Sequence, residues 1–262
     1  MKNTAIVIPC YNEGNRLDPS ALLKYAQSHP SVTFIMVNDG STDMTALVIE
    51  DMQKDLGGQV ACVSLKANCK KPEAVRQGFL KAFQMPVDII GYWDADLSTP
   101  LYHIDQMAAM FDDPSIEIVM ASRVRLLGRN VQRSLLRHLL GRVYATLASL
   151  TLRLPVYDTQ CGAKLFRNTP QVRKAFSFPF VTKWVFDVEI LARAILYNRY
   201  NQTGREASLF CIEYPLHEWI DQKGSKRKLA DYFISAVDLF KISGILRLKK
   251  RDSEYIRRLI NG

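Results

Sequence analysis

Short apolar runs alternate with helix-period segments across the first 120 residues, and few architectures satisfy that pattern. The runs are Ala5–Pro9, Val32–Val37, Val60–Leu65, Ile89–Trp93 and Ile116–Ala121. Between them lie helical patterns: one through Leu22, Leu23 and Tyr25, then Asp43–Leu56, Glu73–Phe83 and Ile104–Phe111. Short buried strands alternating with helices predict an α/β fold, with a mostly parallel central sheet flanked by helices on both faces. Ligands in such sheets bind beyond the carboxyl ends of the strands. The polar residues that end runs one, two and four are therefore the first place to look for chemistry.

The second half is less regular. Ser134–Leu154 reads as a helix, with Arg137 and Arg142 among many leucines, and Trp184–Tyr197 as another. Gln160–Phe166 and Leu209–Tyr214 read as strands. Lys226–Leu246 reads as an amphipathic helix with Leu229, Phe233, Ala236, Val237 and Phe240 on one stripe, followed by a basic tail, Lys249–Arg258. At 48% hydrophobic, 262 residues suffice for a substantial core and disorder is excluded. Five scattered cysteines without a CxxC pair predict thiols in a reducing compartment, and four dispersed histidines give no zinc-ligand spacing.

The apolar N-terminal run is too short for a signal peptide, and no stretch approaches the ~18 to 20 apolar residues that span a bilayer. The expected location is cytoplasmic, peripheral on the cytosolic membrane face. Charge is uneven. Residues 1–120 carry 9 Lys and Arg against 15 Asp and Glu, whereas residues 121–262 carry 26 against 11. A basic half of this kind attracts nucleic acid, anionic lipid or phosphorylated substrates.

Asp94-Ala95-Asp96 directly follows the run Ile89–Trp93. Carboxylates at i and i+2 on extended chain lie on one side and can grip a single divalent cation, which hard ions such as Mg²⁺ complete with substrate phosphates. The first run ends in Ile8-Pro9-Cys10-Tyr11-Asn12-Glu13 and the second in Asn38-Asp39-Gly40-Ser41-Thr42-Asp43. Tyr11 can lie against a base, while Glu13 and Asp39 can accept hydrogen bonds from a base or ribose. Asp43 suits either binding or capping of the next helix.

These three motifs, in this order and at these distances, resemble family 2 inverting glycosyltransferases with the GT-A fold. The resemblance implies that Pro9, Tyr11, Glu13 and Asp39 hold a nucleoside, and that Asp94 and Asp96 hold Mg²⁺ or Mn²⁺ on its diphosphate. Later segments are similar to the dolichyl- and polyprenyl-phosphate glucosyl- and mannosyltransferase group: Ala121-Ser122-Arg123, Asp158 through Phe166, Trp184 through Glu189, and Trp219 through Lys226. The segments Phe186-Asp187-Val188-Glu189 and Trp219 through Lys226 look closer to the glucosyl branch, which implies UDP-glucose ahead of GDP-mannose as donor. The likeness divides the chain into a catalytic domain, 1–225, and a basic helical extension, 226–262. Within the former, 1–122 is the nucleotide-sugar half and 123–225 the acceptor half.

There are departures. The family's Gly-Lys-Gly turn after the third strand is replaced by Asn68-Cys69-Lys70-Lys71-Pro72-Glu73. Asn38 stands where many members have an acid, Ser98 where some place a metal-facing Gln, and Ala163 where Phe is usual.

Sugar transfer by inversion develops negative charge on a leaving diphosphate, which the metal of Asp94 and Asp96, with Arg123, can stabilise. A hydroxyl acceptor needs a base; Asp158 and Asp187 are candidates, for that role or for organising the site. A phosphate monoester, with a second pKa of about 6, needs cations more than a base. The run Arg123, Arg125, Arg129, Arg133, Arg137 supplies them, and Lys164 joins Arg123, Arg133 and Arg137 as a candidate phosphate ligand. The resulting expectation is hexose transfer to a polyprenyl phosphate, with basic amphipathic helices on the membrane surface and self-association left open. A saccharide or other hydroxyl acceptor is the alternative. A donor-synthesising nucleotidyltransferase lacks its Gly-rich loop after the first strand. Nucleic-acid binding leaves the acidic motifs unexplained, and an oxidoreductase lacks GxGxxG.

Overall fold

A computed structural model describes residues 2–132, 135–201, 206–220, 229–248 and 254–261. Among these the strands are β1 (Thr4–Cys10), β2 (Val32–Asn38), β3 (Val60–Ser64), β4 (Ile89–Trp93), β5 (Ile118–Ser122), β6 (Asn130–Gln132), β7 (Ala163–Arg167), β8 (Cys211–Pro215) and β9 (Glu218–Ile220). The α-helices are α1 (Pro19–Ser28), α2 (Thr45–Leu56), α3 (Lys71–Ala82), α4 (His103–Ala109), α5 (Leu135–Leu152), α6 (Pro170–Ala175), α7 (Phe186–Tyr200), α8 (Leu229–Arg247) and α9 (Glu254–Asn261). The chain forms two compact units: Met1–Asp112 with Gly162–Asn168, and Asp113–Cys161 with Thr169–Gly262.

The first unit carries the expected parallel sheet, in the order β3-β2-β1-β4, with β7 antiparallel beside β4. Ala5, Ile6, Val7 and Ile8 of β1 are wholly buried, as a strand covered on both faces requires. Helix α3 lies close on β1 and β2 because Gly78 has no side chain; a Cβ there would sit 2.2 Å from Val7 Cγ1. The Asp18 side chain caps α1 by accepting from the Ala21 N–H, with Pro19 opening the first turn. These features fix the strand ends from which the loops after β1, β2, β3 and β4 emerge.

The second unit pairs β5 with β8, and β6 with β9, both parallel. Its helices gather on α7, which is buried nearly all round, unlike a surface helix with one apolar stripe. The fully buried Arg193 of α7 pairs with Glu189 at 2.7 Å and donates to the carbonyls of Ala175, Phe178 and Pro179. Glu189 in turn accepts from the Val181 and Thr182 N–H groups, so no charge is left unpaired. The basic tail contains α9, whose Ile256 and Leu259 close the core over Leu196 and Ile245.

One expectation is corrected. Of the stripe assigned to the helix around residues 226–246, Ala236, Val237 and Phe240 face solvent, and the side chains of Leu229 and Phe233 lie outside the described residues. The buried side of α8 is Ser235, Asp238, Leu239, Ile242 and Ile245. Asp238 explains the inversion: its carboxylate accepts from the Lys183 and Trp184 N–H groups and draws that side of the helix inward. The strand expected to begin at Gln160 begins at Ala163, because Asp158 and Gln160 belong to a loop held by side chains.

Candidate active site

Each loop after β1, β2, β3 and β4 contains one residue in left-handed backbone: Asn12 (φ 53°), Gly40 (φ 66°), Lys70 (φ 76°) and Leu97 (φ 49°). Such conformations cost about 1–3 kcal/mol for non-glycine residues and persist where surroundings over-determine them, typically at ligand sites. The loops are stitched together. Asn12 N donates to Ser41 Oγ (3.1 Å), and Asn12 Oδ1 accepts from Thr42 N (2.9 Å). Asp43 accepts from Thr45 N at the start of α2 and from Gly14 N, and the Thr45 hydroxyl foremost holds its carboxyl below the ordinary range. Asp43, one residue before the N-cap Met44, thus ties the first loop to the start of α2.

Each of the four candidate carboxylates in this unit is matched to a cation or an N–H group. Asp39 is buried and accepts from Cys69 N at 2.7 Å; burial pushes its pKa up, against the N–H groups of Cys69 and Lys70. Glu13 lies 3.0 Å from Arg16 Nε. Burial raises the Glu13 pKa, the Arg16 guanidinium opposes it, and the negative charges of Asp96 and Asp94 add to the rise. Asp94 donates its N–H to Gly162 O (2.9 Å), and its carboxylate occupies space that a side chain on Gly162 would fill, 1.8 Å from a Cβ. Lys71 Nζ is ion-paired to Asp94 Oδ1. Asp96 Oδ1 accepts from Ser98 N (3.0 Å), and its Oδ2 lies 3.6 Å from Arg16 Nη2. Tyr11 is 45% exposed in the first loop, and Pro9 lies in β1 opposite Val37. Lys164 is buried on β7 opposite Tyr92, its Nζ 5.3 Å from that ring.

No three His, Cys, Asp or Glu side chains converge among the described residues. Asp94 and Asp96 offer two hard-oxygen ligands on a single loop. That donor set fits an ion such as Mg²⁺ or Mn²⁺ whose remaining ligands come from a diphosphate and water.

In the second unit Arg123 and Asp158 form a bidentate pair, Nε–Oδ2 2.7 Å and Nη2–Oδ1 2.9 Å, and the guanidinium lies 5.3 Å from the Trp219 ring. Glu213 accepts from Tyr157 N and Asp158 N, both at 2.7 Å; burial pushes its pKa up against those two bonds. Arg142 stacks 3.6 Å from the Tyr157 ring centre and donates to Tyr157 O. Gln160 Nε2 reaches Asp187 Oδ2 at 3.5 Å, at the first turn of α7.

Arg123 and Asp158, separate candidates in the sequence, are therefore one unit, and Asp158 is occupied in orienting a guanidinium. Glu213, Arg16 and Lys71 escaped sequence reasoning. Glu213 carried one visible signal, a lone acid inside the apolar run Leu209–Tyr214. Arg125 is exposed, and Arg129 buries an Nη1 that has no hydrogen-bond partner among the described residues. Arg133 lies outside the described residues; Arg137 lies in α5 with its side chain outside them.

The fold is that of GT-A glycosyltransferases. Glucosyl-3-phosphoglycerate synthase from Mycobacterium tuberculosis, in complex with UDP, matches with a TM-score of 0.60 at 18% identity, over 93% of this chain and 80% of that one. The same enzyme in complex with Mn²⁺, UDP and glucosyl-3-phosphoglycerate matches with a TM-score of 0.60 at 17% identity, over 93% and 80% of the two chains. At such identity the likeness concerns fold alone. The profile described as glycosyl transferase family 2 matches residues 5–170, and the chain belongs to that family. Among its relatives, a dolichyl-phosphate beta-glucosyltransferase from Trichomonas vaginalis is 29% identical over 92% of this chain and 70% of its own length. The human dolichyl-phosphate beta-glucosyltransferase is 32% identical over 72% of this chain, which spans 62% of the human protein's length.

Proposed function

We propose that this chain transfers glucose, with inversion, from UDP-glucose to a dolichyl or other polyprenyl phosphate on the cytosolic face of a membrane. The observation that carries this reading is the Asp94–Asp96 pair at the end of β4, beside loops whose Glu13 and Asp39 suit a nucleoside. The names of its relatives favour glucose and dolichyl phosphate.

Asp94 and Asp96 would hold Mg²⁺ or Mn²⁺, which supplies Lewis-acid stabilisation of the charge growing on the departing diphosphate. Tyr11 and Pro9 form an apolar seat for the base, and the acceptor positions of Glu13 and Asp39 face base and ribose hydrogens. An oxygen of the acceptor phosphate attacks the anomeric carbon, the bond from that carbon to the diphosphate breaks, and UDP leaves. The acceptor phosphate is already largely ionised near neutrality, so no base is required. That agrees with Asp158 being engaged by Arg123. Arg123, set by Asp158 and Trp219, presents a planar fork suited to phosphate, and Arg129 adds a second cation in the same unit. Arg133, Arg137 and Lys164 complete the proposed acceptor set, and Asp187 organises the Gln160 loop.

The membrane partner is proposed to be the bilayer surface itself. Helix α5 exposes Leu139, Val143, Leu147 and Leu150, spaced along one face, and has no acidic residue. Helix α8, which packs on α5, exposes Ile234, Val237 and Phe240, the last at 81%, with Lys241 and Arg247 beside them. An apolar face bordered by lysine and arginine is the signature of an interfacial helix. No helix among the described residues is long and apolar enough to cross a membrane.

A panel of UDP- and GDP-hexoses, Mg²⁺ or Mn²⁺, and polyprenyl phosphate in anionic vesicles tests the whole reading. Transfer of glucose from UDP-glucose to the lipid phosphate is expected. Transfer to a saccharide or other hydroxyl, with none to the lipid, overturns the acceptor.

A further inference from the structure

We infer that residues 181–184 form a bilayer anchor, with the Trp184 indole at the boundary between headgroups and acyl chains of an anionic membrane and Lys183 on its phosphates. This rests on the reading that the exposed faces of α5 and α8 lie on a bilayer, and it fixes the depth at which they do so.

The segment is held by its backbone. The Val181 N–H donates to Glu189 Oε2 (3.0 Å) and the Thr182 N–H to the same oxygen (2.8 Å), joined by the Thr182 hydroxyl (2.9 Å). The Lys183 and Trp184 N–H groups donate to Asp238 Oδ2, at 3.0 and 3.3 Å. Two buried carboxylates thus take four consecutive N–H groups, and loosening either set strands a buried charge. The side chains on so firm a segment stay where it puts them. Thr182 is buried, whereas Val181 is 46% and Trp184 39% exposed, with Lys183 exposed between them. Keeping an indole and a valine partly in water costs hydrophobic free energy, and contiguous apolar surface of this kind marks a contact.

Asp238 also joins the segment to the apolar face of α8. Its Oδ1 accepts from Lys241 Nζ (2.9 Å) on the next turn, and the exposed Ile234 and Val237 lie on the same side of the helix. Among the described residues, every charged side chain exposed on α5, on α8 and on residues 181–184 is a cation, as an anionic surface requires. Indole and lysine side by side suit a bilayer boundary: the ring is apolar with one polar N–H, and the ammonium reaches phosphate. Trp184 lies two residues ahead of α7, whose Asp187 meets Gln160 at 3.5 Å in the loop that carries Asp158. The depth of the indole thereby sets the level of the Arg123–Asp158 pair against the lipid phosphates.

The chain has three tryptophans, and Trp93 and Trp219 are buried, so contact quenching by lipid reads Trp184. The probe is the full chain on phosphatidylcholine vesicles, with or without phosphatidylglycerol, carrying plain or brominated acyl chains. With phosphatidylglycerol present, wild-type emission should shift to the blue and be quenched by the brominated chains, and Trp184→Phe should lose the quenching. In co-sedimentation Trp184→Ser should bind those vesicles about tenfold more weakly, and Lys183→Gln about fivefold. Thermal unfolding checks that each variant is folded. A wild type that co-sediments without quenching, or a folded Trp184→Ser of unchanged affinity, overturns the anchor and leaves α5 and α8 as the contact. A wild type that binds no vesicle overturns the bilayer reading itself, and the inference with it. Self-association without lipid that shifts the Trp184 emission to the blue gives the face to a second copy and likewise overturns the inference.

Discussion

Two sets of ion pairs, one in each unit, differ in kind. In the first unit Lys71–Asp94 is 39% and 41% exposed, and Arg16, 43% exposed, spans Glu13 and Asp96, themselves 17% and 20% exposed. In the second unit Arg123–Asp158 is 13% and 9% exposed, and Arg193–Glu189 is wholly buried. Exposed pairs are worth little and exchange readily, whereas breaking a buried pair strands a charge. The contrast separates carboxylates placed to change partners from carboxylates placed to keep them. By that test Asp94 is placed to change partners, while Asp158 and Glu189 are placed to keep them.

The contrast is open to attack at several points. Arg193→Met strands Glu189 and the carbonyls of Ala175, Phe178 and Pro179, and should cost about 3–5 kcal/mol of stability, read by urea unfolding. A loss below about 1 kcal/mol would put this pair in the same class as the exposed ones. Gly162→Ala should do the reverse. The three atoms nearest its Cβ all belong to the movable Asp94 carboxylate, so the unfolding midpoint should hold while Mn²⁺-dependent UDP affinity falls about tenfold. Glu213 gives the smallest effect. Its folded pKa is raised above the ordinary 4.5. Its titration therefore favours folding fully below that value, and the contribution is lost as pH rises through the folded pKa. Glu213→Gln lacks this dependence. The stability of wild type relative to variant should drift downward between pH 4.5 and neutrality, measured by thermal unfolding. A flat difference removes the buried-carboxylate assignment.

Much of the first unit was legible in the sequence. Its parallel strands are continuous apolar runs, and period alone separates them from the amphipathic helices between. The three acidic motifs were legible because they follow those runs directly. What was hidden depends on long-range packing. The antiparallel placement of β7 beside β4 joins residues far apart in the chain, Trp93 with Ala163 and Ile89 with Arg167, and no local pattern encodes it. The pairing of Arg123 with Asp158 spans 35 residues and likewise had no local sign. The face of α8 was misread because Asp238, polar by composition, is buried to bind two backbone N–H groups, while Phe240 is not buried at all. Lys71 was passed over because the loop departs from the glycine pattern; its position follows from a strained Lys70, which sequence does not display.

The central claim is that Asp94 and Asp96 present a divalent ion to a nucleotide diphosphate. Its most direct test is the rate of glucose transfer from UDP-glucose to polyprenyl phosphate, titrated with Mn²⁺, for wild type and Asp96→Ala. The wild type should depend on the ion, and the variant should lose at least about a hundredfold in rate with an unchanged unfolding midpoint. Near-normal, metal-responsive turnover by Asp96→Ala would contradict it.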